Sequence, residues 1–106
     1  MTIAKRLDYS AVETKERELK EALNNLVAQT LLVKGCQKCE MYQLNEERSH
    51  FFMIVIFKSQ KAIRLYEEDE QIQALRKEVK RYTQKDETYD LKLPQCLTKL
   101  GLKEKK

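Results

Sequence analysis

A small α+β domain is predicted by three features of this 106-residue sequence. Ile3, Leu7, Tyr9 and Ala11 share one parity and Arg6, Asp8 and Ser10 the other, the alternation of a half-buried strand. Leu19, Ala22, Leu23, Leu26, Val27 and Thr30 recur at the i, i+3, i+4, i+7 spacing of an amphipathic helix. Residues 51–57 read Phe-Phe-Met-Ile-Val-Ile-Phe, apolar without alternation, as in a central strand covered on both faces.

The remaining elements follow in order. The first helix is expected over residues 14–32, with Thr14 as its N-cap and Glu16 near the positive helix end. Lys34 and Gly35 stop it, a cation near the last carbonyls followed by a residue free to take positive φ. Residues 36–44 form a second strand with Cys39 and Met41 on one face and Cys36, Glu40, Tyr42 and Leu44 on the other. The polar run 45–49 turns the chain into the strand 50–58, making an antiparallel hairpin. Ser59 caps a helical region with Ala62, Ile63, Leu65 and Tyr66 on its apolar side. The acidic break 67–70 leads to a helix carrying Ile72, Leu75, Val79 and Tyr82, and residues 86–94 alternate again as a last strand ended by Pro94. The order is β-α-β-β-α-β, the ferredoxin-like split arrangement, with residues 1–94 as the domain and 95–106 as a tail. In that topology the helices cover one sheet face. The apolar strand 51–57 then requires a cover on the other face, and a second copy of the sheet supplies it more simply than the tail does.

Composition narrows the function classes. Charged residues make up 36% of the chain and the net charge is +4, but Lys103, Lys105 and Lys106 lie in the tail and the body is close to balanced. Acids and bases interleave along the first helix, as in Glu13-Thr14-Lys15-Glu16-Arg17-Glu18, which is the pattern of a solvated face rather than of a nucleic-acid footprint. No apolar run reaches membrane-spanning length, and no nucleic-acid or membrane partner is expected. An N-terminus without a signal-peptide pattern and an odd cysteine count predict a cytoplasmic protein with reduced thiols. Cys36-x-x-Cys39 lacks the second ligand pair of a structural zinc site and follows a helix C-terminus, so both are expected as small buried residues, with no metal.

Six residues are candidates for a pocket: Arg6, Asp8, Tyr42, His50, Phe57 and Tyr66. His50 is the side chain that titrates near neutrality, either as a general base or as a solvated strand-end histidine. Tyr42, Tyr66 and Phe57 either line an aromatic pocket or pack the core. Arg6, Asp8 and Glu40 are strand charges that either face a pocket, pair across a dimer, or sit at a solvated edge.

The ordered set Leu19-Lys20-Glu21-Ala22-Leu23, residues 33–43 (Val-Lys-Gly-Cys-Gln-Lys-Cys-Glu-Met-Tyr-Gln), and the strand 51–57 running into Ser59 and Ala62 resembles the antibiotic biosynthesis monooxygenase family. That group of dimeric α+β barrels includes small quinol monooxygenases and haem-degrading enzymes. The resemblance implies a homodimer whose two sheets close one barrel, with a pocket between sheet and helices in each protomer. It implies oxidation of a small aromatic or quinol by O₂ without cofactor, the substrate being its own reductant. Where the family commonly has Trp after the third strand this chain has Phe57, and two positions earlier Val55 replaces a common Glu. Where haem-degrading relatives carry the iron-ligating His this chain has Tyr66, so haem degradation is not expected. Two functions therefore stand side by side: a cofactor-independent monooxygenase, and a non-catalytic dimeric module of the same fold that binds a small ligand or protein.

Overall fold

The computed structural model describes residues 2–92. The chain runs β1 (Ile3–Ala11), α1 (Glu16–Thr30), β2 (Cys36–Gln43), β3 (His50–Phe57), α2 (Gln60–Glu68), α3 (Glu70–Arg81) and β4 (Thr83–Leu91). The four strands form one sheet in the order β2-β3-β1-β4, with every neighbouring pair antiparallel. Each helical crossover skips one strand, and the result is the ferredoxin-like topology. The second crossover is two helices rather than one. Asp69 makes the break between them: its extended backbone interrupts the helix while its carboxylate accepts from the Ile72 amide at 3.0 Å and caps α3.

The core lies between the helices and one sheet face. Phe51, Met53, Val55 and Phe57 of β3 are buried against Leu19, Leu23 and Leu26 of α1, Ile63 of α2 and Ile72 and Val79 of α3. Burying each of those leucines contributes about 1.5–3 kcal/mol. The alternate residues of β3, His50, Phe52, Ile54 and Ile56, point to the other face and are only half-buried. Among the described residues, the expectation of cover on both faces is thus met on one face alone. The uncovered row continues into Arg6 and Asp8 of β1 and Glu40 and Tyr42 of β2, which stand opposite Ile54 and Phe52.

Local corrections have physical causes. Thr14 does not cap α1: it sits in the left-handed region at φ 69° and its turn closes with the Lys15 amide on the Val12 carbonyl, so its hydroxyl is not aimed down the helix. Lys15 takes the N-cap position with no side-chain bond. The expected opposition of Cys36 and Cys39 fails because β2 is irregular between Cys36 and Lys38; Cys36 pairs with Phe57 and Cys39 with Val55, on the same face. Leu65 is exposed, because the α2 stripe that meets the sheet is Ala62, Ile63 and Tyr66. Ser59 caps α2 as expected, its hydroxyl accepting from the Ala62 amide. Strand β4 begins at Thr83, three residues earlier than the alternation predicts, because Thr83 pairs with Ala11 across an irregularity in β1. Leu93, Pro94 and the tail 95–106 lie outside the described residues.

Gly35 is required twice over. Its φ is +93°, and a Cβ there would stand 2.5 Å from the Ala62 Cβ. The turn from α1 into β2 therefore packs directly on the first turn of α2.

Candidate functional site

The sheet divides the six predicted pocket residues. Arg6, Asp8, Tyr42 and His50 gather on the uncovered face, whereas Phe57 and Tyr66 lie on the helix side. On the uncovered face Asp8 is the hub. Its carboxylate accepts from Arg6 Nε at 2.7 Å and Nη2 at 3.0 Å, and its Oδ2 lies 2.8 Å from His50 Nε2. Burial pushes the Asp8 carboxyl up, but the hydrogen bonds from Arg6 and His50 and their nearby charge outweigh it and leave it below the usual carboxylate value. The Arg6 guanidinium in turn covers the Phe52 ring at 4.1 Å, and Phe52 stacks on Tyr42, whose hydroxyl donates to Glu40. Phe52 thus joins the four predicted residues into one layer, a role its place in an unbroken apolar run did not signal.

On the other side, Phe57 is buried and meets Tyr66 at a ring separation of 5.3 Å and a tilt of 58°, which is core packing. Cys39 is also core; burial first, then the neighbouring Cys36 and Glu40, push its thiol up to about 12. Such a thiol is inert at neutral pH.

Beside this core, between α3 and the β1–β4 pair, is a cavity of about 340 Å³. Leu7, Tyr9, Leu26 and Val79 supply its apolar walls; Gln73, Arg76, Lys77 and Lys80 of α3 and Asp86, Glu87 and Thr88 of β4 supply its polar groups. The volume lies within the range of about 300–1,000 Å³ typical of small-molecule sites. Two other hollows, of about 440 and 500 Å³, are lined in part by exposed charged chains, Lys34, Lys58 and Lys61 in the first and Arg17, Lys20 and Arg48 in the second, and contain no buried polar residue.

Tyr9 is the buried polar group of the cavity, held on the helix side of β1 by the strand parity. Burial raises its phenol well above the ordinary value, the neighbouring Tyr66 and Asp86 add to the rise, and Arg76 opposes it. Tyr66 is likewise raised by burial and opposed by Arg76, whose guanidinium lies 5.5 Å from the Tyr66 ring centre. Both phenols are therefore neutral hydrogen-bond donors at neutral pH. Arg76 forms no ion pair among the described residues. Thr30, close to Tyr66, keeps a buried hydroxyl with no partner in bonding geometry. Sequence reading missed Tyr9, Arg76 and Asp86. The signal for Tyr9 was its place on the buried parity of β1; Arg76 and Asp86 resemble any other surface charges until α3 is laid beside β4.

No cluster of three or more His, Cys, Asp or Glu side chains able to hold a metal ion occurs among the described residues, and no described helix is long and apolar enough to cross a membrane. The fold and site define a class: a ferredoxin-like α+β domain with a small, partly apolar cavity between sheet and helices. The sequence matches the family model described as antibiotic biosynthesis monooxygenase over residues 3–78, and the chain belongs to that family. No curated protein sequence matches it. Among solved structures it is similar to SnoaB, a cofactor-independent oxygenase from Streptomyces nogalater, with a TM-score of 0.81 and 9% identity over 92% of this chain and 98% of that one. It is similar also to a putative antibiotic biosynthesis monooxygenase from Nitrosomonas europaea, with a TM-score of 0.79 and 15% identity over 85% and 88% of the two chains. At these identities the likeness establishes the fold.

Proposed function

We propose that the protein is a cofactor-independent monooxygenase that oxidises a small phenol or quinol with O₂ in the cavity between α3 and β1–β4. The observation that carries this reading is the meeting of a buried phenol, Tyr9, and a cation, Arg76, in one cavity. A substrate that reduces O₂ itself must first become electron-rich, that is, deprotonated. Arg76, without an ion-pair partner among the described residues, favours the phenolate electrostatically, and the neutral Tyr9 hydroxyl donates to the oxyanion. Asp86 is the cavity carboxylate placed to take the proton. Leu7, Leu26 and Val79 hold the ring on its apolar side. In the balanced reaction the substrate loses two hydrogens and four electrons and keeps one oxygen atom. The second oxygen atom leaves as water with those two hydrogens.

The uncovered face of the sheet supports a homodimer. Phe52, Ile54 and Ile56 form an apolar row that the described residues leave half-exposed, flanked by the Asp8 network. A second copy placed across a two-fold axis covers that row with an identical one. The free thiols of Cys36 and Cys39 agree with a cytoplasmic location. The test is oxygen consumption by the purified protein with a panel of hydroquinones, naphthoquinols and anthrone-type phenols. Uptake above the autoxidation rate, abolished by heat denaturation, supports the reading. A folded protein that consumes no oxygen across the panel, while its melting temperature rises with one of the phenols, identifies a binding module instead.

A further inference from the structure

On α3 the residues facing the cavity, Gln73, Arg76, Lys77 and Lys80, stand at i, i+3, i+4 and i+7, one helix stripe with three cations. Exposed helix cations ordinarily find an acid three or four residues away. These three have none: the residues three and four before and after Arg76, Lys77 and Lys80 include no Asp or Glu. Arg76 and Lys80 are instead an i,i+4 pair of like charges, and Lys77 and Lys80 an i,i+3 pair, each unfavourable to the isolated helix. None of the three joins an ion pair among the described residues. Glu78, the acid within the same turn, is turned away and bound by Tyr82 and Arg81.

The facing wall does not neutralise the stripe. Of the two acids of β4 at the cavity, Glu87 pairs with Asp8 and so points to the opposite sheet face, where its carboxylate accepts from the Tyr89 hydroxyl. Asp86 alone faces inward, opposite Tyr9. Three cations against Asp86 and the outward-turned Glu87 still leave the mouth net positive, while Arg76 reaches inward to the Tyr66 ring. On α1 acids and bases interleave, and this stripe departs from that pattern.

We infer that the substrate is an anionic aromatic: a small phenol or quinol bearing a carboxylate, held by Lys77 and Lys80 at the mouth while its phenolic oxygen reaches Arg76 and Tyr9. This rests on the oxygenase reading of the same cavity and adds its substrate class. An aromatic ring with one carboxyl group spans from apolar wall to rim, and the fixed charge at the rim orients the phenolic end inward. The cations also draw the anion from solution, a contribution that salt screens.

The test compares gentisate with its amide, gentisamide, which differ in charge and little in size. Binding of each is measured by calorimetry at low and at high ionic strength, with the wild-type protein and with the K77Q/K80Q variant, and oxygen uptake is measured in parallel. The expected result is gentisate binding about tenfold more tightly than gentisamide at low salt, the size of one charge-assisted contact. That ratio falls toward unity in K77Q/K80Q and at high salt. Equal affinities in the wild type, a ratio unchanged in K77Q/K80Q, or no binding of either compound overturns the inference. Oxygen uptake with both compounds at the same kcat/KM overturns it too, and leaves the oxygenase reading standing. Charge-dependent binding without any uptake keeps the anionic ligand class and removes the oxygenase reading. Both lysines are exposed, so the variant is expected to fold; its circular dichroism and melting temperature check that.

Discussion

His50 Nε2 lies 2.8 Å from Asp8 Oδ2 although 42 residues separate them in the chain. The register of the two central strands produces this. Ser10 stands opposite His50 and Asp8 opposite Phe52, so Asp8 is the diagonal neighbour of His50 on the same face. The same carboxylate takes two bonds from Arg6, which makes it the link between the sheet's polar end and the Phe52 layer.

Replacing that carboxylate should cost stability in a pH-dependent way. Asp8→Asn is expected to lower unfolding free energy at neutral pH by about 1–3 kcal/mol, the range for losing hydrogen bonds to a charged group. Asp8 titrates below its ordinary value in the folded protein, so its stabilisation is complete above the unfolded value of about 3.9 and is lost as pH falls through the lower folded value. Urea unfolding from pH 7 downward should show the wild-type and Asp8→Asn stabilities converging in acid. A gap that stays constant to the lowest folded pH would exclude the network as its source.

The uncovered apolar row predicts an oligomer-breaking substitution. Ile54 is half-buried in the single chain and sits between Arg6 and Glu40 on its neighbouring strands. Ile54→Lys is expected to leave far-ultraviolet circular dichroism unchanged and to convert a dimer into a monomer in sedimentation velocity. Identical sedimentation of the two proteins would count against self-association through this face.

Gly35→Ala tests the contact between the first crossover and α2. The substitution demands both a strained φ and the displacement of Ala62, and should destabilise by about 1–3 kcal/mol. Lys34→Ala, one residue earlier and exposed, should stay within about 0.5 kcal/mol of wild type. Comparable melting temperatures for the two variants would show that the turn is free to move away from α2.

Arg76→Gln removes the cation shared by Tyr9 and Tyr66 and leaves a shorter, neutral but still polar side chain. The expected loss in kcat/KM for phenol oxidation is about 10²-fold, as for deleting one preorganised charge-stabilising group. The loss should diminish for phenols of lower intrinsic pKa, which ionise without help. A uniform loss across the phenol series would make Arg76 a packing residue rather than the phenolate's counter-ion.

The strand parity of β1 and the stripe of α1 were legible because each follows from a fixed backbone period, 2 and 3.6 residues, against one apolar surface. The topology followed from that order of elements. The Thr14 cap and the Cys36 orientation were not legible, since a left-handed residue and an irregular strand pairing each shift a face by one residue without changing composition. The candidate site was half legible. Arg6, Asp8, Tyr42 and His50 announced themselves as polar residues in strand positions and do come together, though on the uncovered face. The cavity residues Arg76 and Asp86 carry no local signal, because the cavity exists only where α3 and β4 are brought side by side. Phe57 and Tyr66, singled out as aromatics, are packing partners of each other.

Oxidation of a phenolic ring by molecular oxygen is the reaction we assign to this cavity. It is tested most directly by an oxygen electrode trace with a naphthoquinol under conditions where its autoxidation is slow, combined with mass spectrometry of the product under labelled O₂. The expected result is uptake proportional to protein concentration, incorporation of one labelled oxygen atom into the quinone, and a marked slowing in Arg76→Gln. Uptake indistinguishable from the protein-free control, with the quinol bound and the protein folded, would contradict it.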